Sequence, residues 1–321
     1  MPDGMESFGT AVPESRHNGH DDLDVGHDVA NIDGSKIAMS AKRWSVNGNI
    51  YWPANETVDS MPPGFYEFES SNIGPYARKK DIATDGLLEL PDSAAEEVIK
   101  EFKEFWALEP EFKKRGFLHK RGILLYGPPG GGKTSSLMLM ARELVNEHDG
   151  IVCSIEHPGL AAACLSNIRQ IEPERPIVAI LEDIDSLIEQ YDEQAFLSLL
   201  DGETQVNRIC YVGTTNYPER LDKRFVDRPS RFDTIMKIGM PTAAARKVYL
   251  SAREPELTGD ELDMWVERTD GLAVAHLREL VILVKCFGKP FEVALKRLED
   301  MRVKKHTSDD DKGTVGFGIG R

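Results

Sequence analysis

The run Gly127-Pro128-Pro129-Gly130-Gly131-Gly132-Lys133-Thr134 constrains this chain more than any other feature. It fits G-x-x-x-x-G-K-[ST] at every position, with an apolar run from Arg121 to Tyr126 before it and a helix-forming stretch from Lys133 to Asn146 behind it. Glycines let successive backbone N–H groups turn inward on an anion, and the N-terminus of the following helix adds partial positive charge. In such a loop Lys133 bridges the β- and γ-phosphates of a nucleoside triphosphate, and the Thr134 hydroxyl ligates Mg²⁺. The binding segment therefore runs from Gly127 to Ser135, and the cofactors expected are ATP and Mg²⁺.

Apolar runs at Ile151 to Ile155, Ile177 to Leu181 and Ile209 to Thr214 read as further strands, each separated by helical segments. Alternating β and α elements of this length predict a parallel sheet covered by helices on both faces, an α/β fold. The run Ile177 to Leu181 ends in Glu182-Asp183-Ile184-Asp185. Ligands bind beyond the carboxyl ends of strands in such sheets, so these acids arrive at the phosphate site. One acid can organise Mg²⁺ and its waters while the other orients and deprotonates the attacking water.

Upstream, Asp92 starts a helix with Ala94, Val98, Phe102 and Phe105 on one face. Beyond Pro241 the strand pattern stops, and helices are expected at Ala243 to Ala252, Gly259 to Thr269, Val274 to Phe287 and Pro290 to Met301. Residues 1–40 hold eight acidic side chains, two basic ones and three histidines, His17, His20 and His27, with few large apolar residues, which predicts a disordered acidic tail. Residues 41–80 turn aromatic and β-branched, with a hairpin cue at Asn47-Gly48 and a strand pattern at Gly64 to Phe68, so a small β-rich module is expected there. The expected order is tail 1–40, β-rich module 41–80, nucleotide-binding α/β domain 81–241, small all-α lid 242–302 and flexible tail 303–321, in which Phe317 could dock on a neighbour.

A net charge of −15 disfavours a broad nonspecific grip on nucleic acid, which needs clustered Lys and Arg. No apolar run approaches the ~20 residues of a membrane span, and the acidic N-terminus lacks a secretory signal. Cys153, Cys164, Cys210 and Cys286 are widely spaced, which reads as free thiols in a reducing cytoplasm.

Together these motifs make the chain resemble an AAA ATPase (ATPases associated with diverse cellular activities), over roughly Asp81 to Met301. Glu109 to Gly116 leading into Arg121 to Gly130 is similar to the family's approach to its P-loop, and the resemblance implies a P-loop NTPase fold. Thr214-Thr215-Asn216 resembles the sensor-1 segment, which implies that Asn216 polarises the nucleophilic water. Arg228-Pro-Ser-Arg231-Phe-Asp233 resembles the segment carrying arginine fingers, which implies that Arg228 and Arg231 reach the ATP of an adjacent subunit. A residue working in trans requires a homo-oligomer, in this family usually a hexameric ring, acting on a protein substrate or partner.

Three departures stand out. The family usually ends its acidic strand in Asp-Glu; here Glu182-Asp183 places Glu182 near Mg²⁺ and makes Asp183 the base, an order similar to that of the ATPases that assemble mitochondrial respiratory complex III. The aromatic-hydrophobic-glycine pore loop is absent from Glu156 to Cys164. In Gly271 to Leu277, His276 stands where an acid is common, lining the adenine pocket or serving a helix-capping or surface role, and Arg278 does not match well enough to assign as sensor 2. The leading expectation is an ATP-hydrolysing remodeller. A clamp- or helicase-loader-like ATPase is disfavoured by the charge and the arginine segment. A nucleotide-gated scaffold with little hydrolysis is the remaining alternative.

Overall fold

The computed structural model describes residues 43–303 apart from 48–49, 55, 73, 83–85, 92–93, 202–205, 227 and 229. The acidic tail with its three histidines and the glycine-rich tail with Phe317 lie outside the described residues. The described residues divide into two units, one up to Val58 and the other from Asp59 onward. Within the first, β1 (Arg43–Asn47) and β2 (Ile50–Ala54) pair antiparallel with Asn47 opposite Ile50, the hairpin register expected at Asn47-Gly48.

The second unit contains the next two strands, β3 (Gly64–Ser71) and β4 (Gly74–Lys80). They do not belong to a separate module over 41–80. β3 instead runs parallel to β6 (Ile151–Ser154), from Gly64 opposite Ile151 to Glu67 opposite Ser154. The reason is visible in burial: Phe65 and Tyr66 point to opposite faces and join two different cores, so β3 is covered on both sides. β4 is the antiparallel edge, largely exposed and carrying Arg78, Lys79 and Lys80.

The main body follows as α1 (Ala94–Ala107), α2 (Glu109–Lys114), β5 (Lys120–Tyr126), α3 (Lys133–His148), β6, α4 (Pro158–Ile171), β7 (Ile177–Leu181), α5 (Ile184–Gln190), α6 (Glu193–Asp201), β8 (Ile209–Thr215), α7 (Lys223–Val226) and β9 (Thr234–Lys237). The seven strands are ordered β4-β3-β6-β7-β8-β5-β9, and all but β4 run parallel. β9, only four residues long, was not apparent in the sequence. Side chains alternate between two cores. Ile177, Ala179 and Leu181 pack with α4 and α6 residues such as Leu165 and Phe196, while Val178 and Ile180 pack with Phe102 of α1 and Leu137 of α3. Each such fully buried aliphatic contributes about 1.5–3 kcal/mol of transfer free energy.

The helical region comprises α8 (Ala243–Arg253), α9 (Gly259–Arg268), α10 (Val274–Val281) and α11 (Phe291–Val303), around a third core centred on Trp265, Leu277 and Leu280. The helical stretch expected over Val274 to Phe287 runs on to Cys286 but changes its pitch after Val281. From Ile282 to Cys286 it widens into a π-turn, closed by the Phe287 N–H on the Ile282 carbonyl at 3.1 Å. No helix among the described residues is long and apolar enough to cross a membrane.

Candidate active site

The loop from Gly127 to Gly132 leaves the carboxyl end of β5 and enters α3. Gly127 has φ +148°, and a Cβ there would lie 2.1 Å from the Ile238 carbonyl oxygen, so only glycine lets the loop pass the end of β9. Gly132, at φ +109°, turns the chain into α3, whose first turn is closed by Ser136 N–H on the Gly132 carbonyl at 2.8 Å. The exposed start of this helix, at Thr134 and Ser135, is the end at which a helix's free N–H groups and dipole favour an anion.

The ends of β5, β7 and β8 bring the polar residues together. Lys133 is 7% exposed, and its ammonium donates to the carbonyls of Gly127 (2.9 Å) and Pro128 (3.0 Å) and to Asn216 Oδ1 (2.6 Å). Burial pushes its pKa down, opposed by the nearby Asp183 and Asp185 carboxylates. Asn216 Nδ2 donates in turn to Asp183 Oδ1 at 3.3 Å. The Thr134 hydroxyl donates to Glu182 Oε1 at 2.9 Å. Asp183 is left-handed at φ +46°, its N–H held by Thr214 Oγ1 at 3.1 Å. Five residues singled out in the sequence therefore form two neighbouring hydrogen-bonded groups, Lys133–Asn216–Asp183 and Thr134–Glu182. A hydroxyl and a carboxylate converging as Thr134 and Glu182 do are hard oxygen donors that fit Mg²⁺, which takes few protein ligands alongside phosphate oxygens and water.

The cleft above these residues has a volume of about 620 Å³, within the size range of small-molecule sites, and Pro129 through Ser135 line one wall. The opposite wall was not foreseen. It consists of the segment Gly86 to Leu90 together with Met240, Tyr249, Arg253, Ala275 and Arg278. Arg253 donates to the Gly86 carbonyl and lies over the Tyr249 ring, 5.6 Å from its centroid. Leu88 and Leu90 pack on the helical core, tying the segment to the small domain. Arg278 lines the cleft, whereas His276 does not. At the joint, Arg246 donates to the carbonyls of Pro241 (2.9 Å) and Val266 (3.1 Å) and pairs with Asp270 (2.9 Å).

The two candidate arginine fingers part company. Arg228 is 63% exposed and lies 3.6 Å from Asp201. Arg231 is 8% exposed; its guanidinium donates to the Arg224 carbonyl at 2.5 Å and faces the same Asp201 at 3.9 Å. The expectation that both reach outward is corrected for Arg231, whose guanidinium is turned into its own chain, where one nitrogen bonds the Arg224 carbonyl and the buried Nε has no hydrogen-bond partner among the described residues. Where the pore loop would stand, His157 caps α4 by accepting the Leu160 N–H at Nδ1 (3.2 Å) and packs on Tyr191.

The sequence pattern of the ATPase family associated with various cellular activities (AAA) matches residues 123–240. Protein SAV of Sulfolobus acidocaldarius is 32% identical over 208 residues, covering 58% of this chain and 26% of that protein. The probable mitochondrial chaperone bcs1 of Schizosaccharomyces pombe is 30% identical over 213 residues, 62% of this chain and 46% of the relative. The cell division cycle protein 48 homolog of Archaeoglobus fulgidus is 30% identical over 250 residues, 71% of this chain and 31% of the relative. The chain thus spans less than half the length of each. The P-loop at the end of β5, the acids at the end of β7 and the asparagine after β8 all fall within residues 123–240, the stretch that matches the pattern of the AAA family.

Proposed function

We propose that the chain hydrolyses ATP with Mg²⁺ as a homo-oligomeric ring, six-membered as is usual for its family, and uses the reaction to move its helical domain and remodel or assemble a protein partner. The observation that carries this reading is the hydrogen-bonded group Lys133–Asn216–Asp183 beside Thr134–Glu182 in one cleft. Resemblance to a chaperone and to a cell-division-cycle 48 homolog supports remodelling. The buried free thiols of Cys153, Cys164 and Cys210 suit a reducing compartment such as the cytoplasm.

In this mechanism the loop N–H groups and Lys133 hold the phosphates, the ammonium exchanging its bonds to the Gly127 and Pro128 carbonyls for phosphate oxygens. Thr134 and Glu182 would hold Mg²⁺, which supplies charge neutralisation on the β- and γ-phosphate oxygens. Asn216 orients the attacking water, and Asp183 accepts its proton. Arg228, the outward arginine, stabilises charge on the phosphoryl group in a neighbouring subunit's cleft.

The test is turnover against protein concentration, together with subunit mixing. Activity should rise more steeply than linearly, and Arg228→Ala subunits, inactive alone, should regain activity when mixed with equally inactive Lys133→Ala subunits. Strictly linear activity and no recovery on mixing would overturn the ring reading. Undetectable phosphate release from assembled rings would replace hydrolysis with nucleotide-gated assembly.

A further inference from the structure

The third acid of the run after β7 has no part in the mechanism above, yet it is the most enclosed of the three. Asp185 lies in the first turn of α5 and is 5% exposed. Its Oδ1 accepts the Thr215 hydroxyl at 2.6 Å, a short, charge-assisted bond between fully enclosed groups. Thr215 Oγ1 also accepts the N–H of Tyr217 at 2.9 Å. The hydroxyl therefore closes a two-residue turn around Asn216 and ties that turn to the base of α5. One residue earlier, Thr214 Oγ1 holds the N–H of Asp183. Adjacent threonines at the end of β8 thus fasten both Asp183 and the turn that presents Asn216.

We propose that Asp185 and Thr215 are positioning residues for the ATPase site, acting through Asn216: they set where its amide lies between Lys133 and Asp183. The inference rests on the hydrolysis reading above and adds residues to it. Geometry supports a directed role. Asn216 spans 2.6 Å to Lys133 Nζ and 3.3 Å to Asp183 Oδ1, so a shift of its backbone lengthens one contact or the other. Without the Thr215 hydroxyl the Tyr217 N–H loses its acceptor and the turn its closure. Asp183, held separately by Thr214, stays in place.

The experiment compares Thr215→Val, Thr215→Ser and Asp185→Asn in the full chain, with folding checked by circular dichroism and thermal melting. Three quantities are read: kcat, the Kd for ADP, and the ratio of affinities for a slowly hydrolysed ATP analogue and ADP. Thr215→Val should lower kcat by ~10²-fold, as misplacement of a reacting group by about 1 Å does. It should leave the Kd for ADP within about twofold and reduce the preference for the triphosphate, because the displaced asparagine faces the terminal phosphate rather than the loop. Thr215→Ser keeps the hydroxyl and should recover most of kcat. Asp185→Asn keeps an acceptor oxygen but loses its charge, so its loss should be intermediate, and it decides the matter if the valine variant does not fold. A folded Thr215→Val or Asp185→Asn variant with wild-type kcat and wild-type discrimination would overturn the assignment. Wild-type chain that binds but does not hydrolyse ATP would instead sink the hydrolysis reading, and the affinity ratio would still test the positioning role.

Discussion

The two walls of the cleft are built in different ways. The phosphate wall is one contiguous loop plus the ends of two adjacent strands, and its functional groups are backbone amides, an ammonium, hydroxyls and carboxylates. The opposite wall takes a leucine-rich segment from before α1 and side chains from two helices of the small domain, α8 and α10, and it is chiefly apolar. The first wall binds what every nucleoside triphosphate shares. The second is assembled only when the helical domain sits over the sheet, so it can report the angle between them. Chemistry is rigidly seated on one side, and response to it lies on the other.

That contrast can be broken by substitution. Lys133→Ala, on the phosphate wall, should reduce ATP turnover by ~10³-fold or more, since it removes the charge that meets the γ-phosphate; phosphate release is the measurement, and residual activity within tenfold of wild type would refute the assignment. Arg228→Ala should cost ~10²–10³-fold in turnover of the assembled protein while shifting stability by less than about 0.5 kcal/mol, the pattern of an exposed residue acting on a neighbour. Arg231→Ala should show the reverse emphasis, a loss of about 2 kcal/mol in urea unfolding, because a buried guanidinium leaves the Arg224 carbonyl and Asp201. Equal stability losses in the two arginine variants would erase the distinction drawn between them. On the opposite wall, Leu88→Ala should raise KM for ATP by about fivefold with kcat nearly constant, equivalent to ~1 kcal/mol of lost packing.

The smallest effect lies at the far end of β5 from the P-loop. His119, one residue before the strand, is buried, stacked on Phe105 and bonded to its carbonyl at 2.8 Å. Burial holds its pKa below the ordinary 6.5, against the raising influence of that carbonyl. Between the lowered value and 6.5 the unfolded chain binds more protons than the folded one, so stability rises with pH across that window and falls on acidification through it. Melting temperature measured from pH 7.5 downward should fall, and replacement of His119 by a non-titrating residue should flatten the profile.

Much of the phosphate wall was legible in the sequence because its chemistry is carried by residue types at fixed spacing. Glycines, a lysine and a hydroxyl residue between a strand and a helix have few other uses, and an apolar strand ending in acids points to the same place. The opposite wall was not legible, since leucines and a tyrosine carry no chemical signature until tertiary packing gathers them. Arg228 and Arg231 looked equivalent at three residues apart; their different fates depend on Asp201, which no local pattern marks as their common neighbour. β3 was read as part of a small module because its burial on two faces requires β6, whose partners lie far along the chain. The change from α to π pitch at Ile282 likewise has no proline or glycine within it to announce it.

Arg246 has a mechanical consequence. By gripping the Pro241 carbonyl from α8 and the Val266 carbonyl near the end of α9, it makes the two helices and the incoming backbone a single stiff lever. On the other side of the joint, the Ile238 N–H is fastened to the Tyr126 carbonyl at 2.7 Å, and Thr242 is engaged in capping α8. Compliance is left to Gly239 and Met240, and around the first of these a side chain would meet nothing within 4 Å. If hydrolysis moves the small domain as proposed, Gly239 and Met240 are the swivel through which that motion passes.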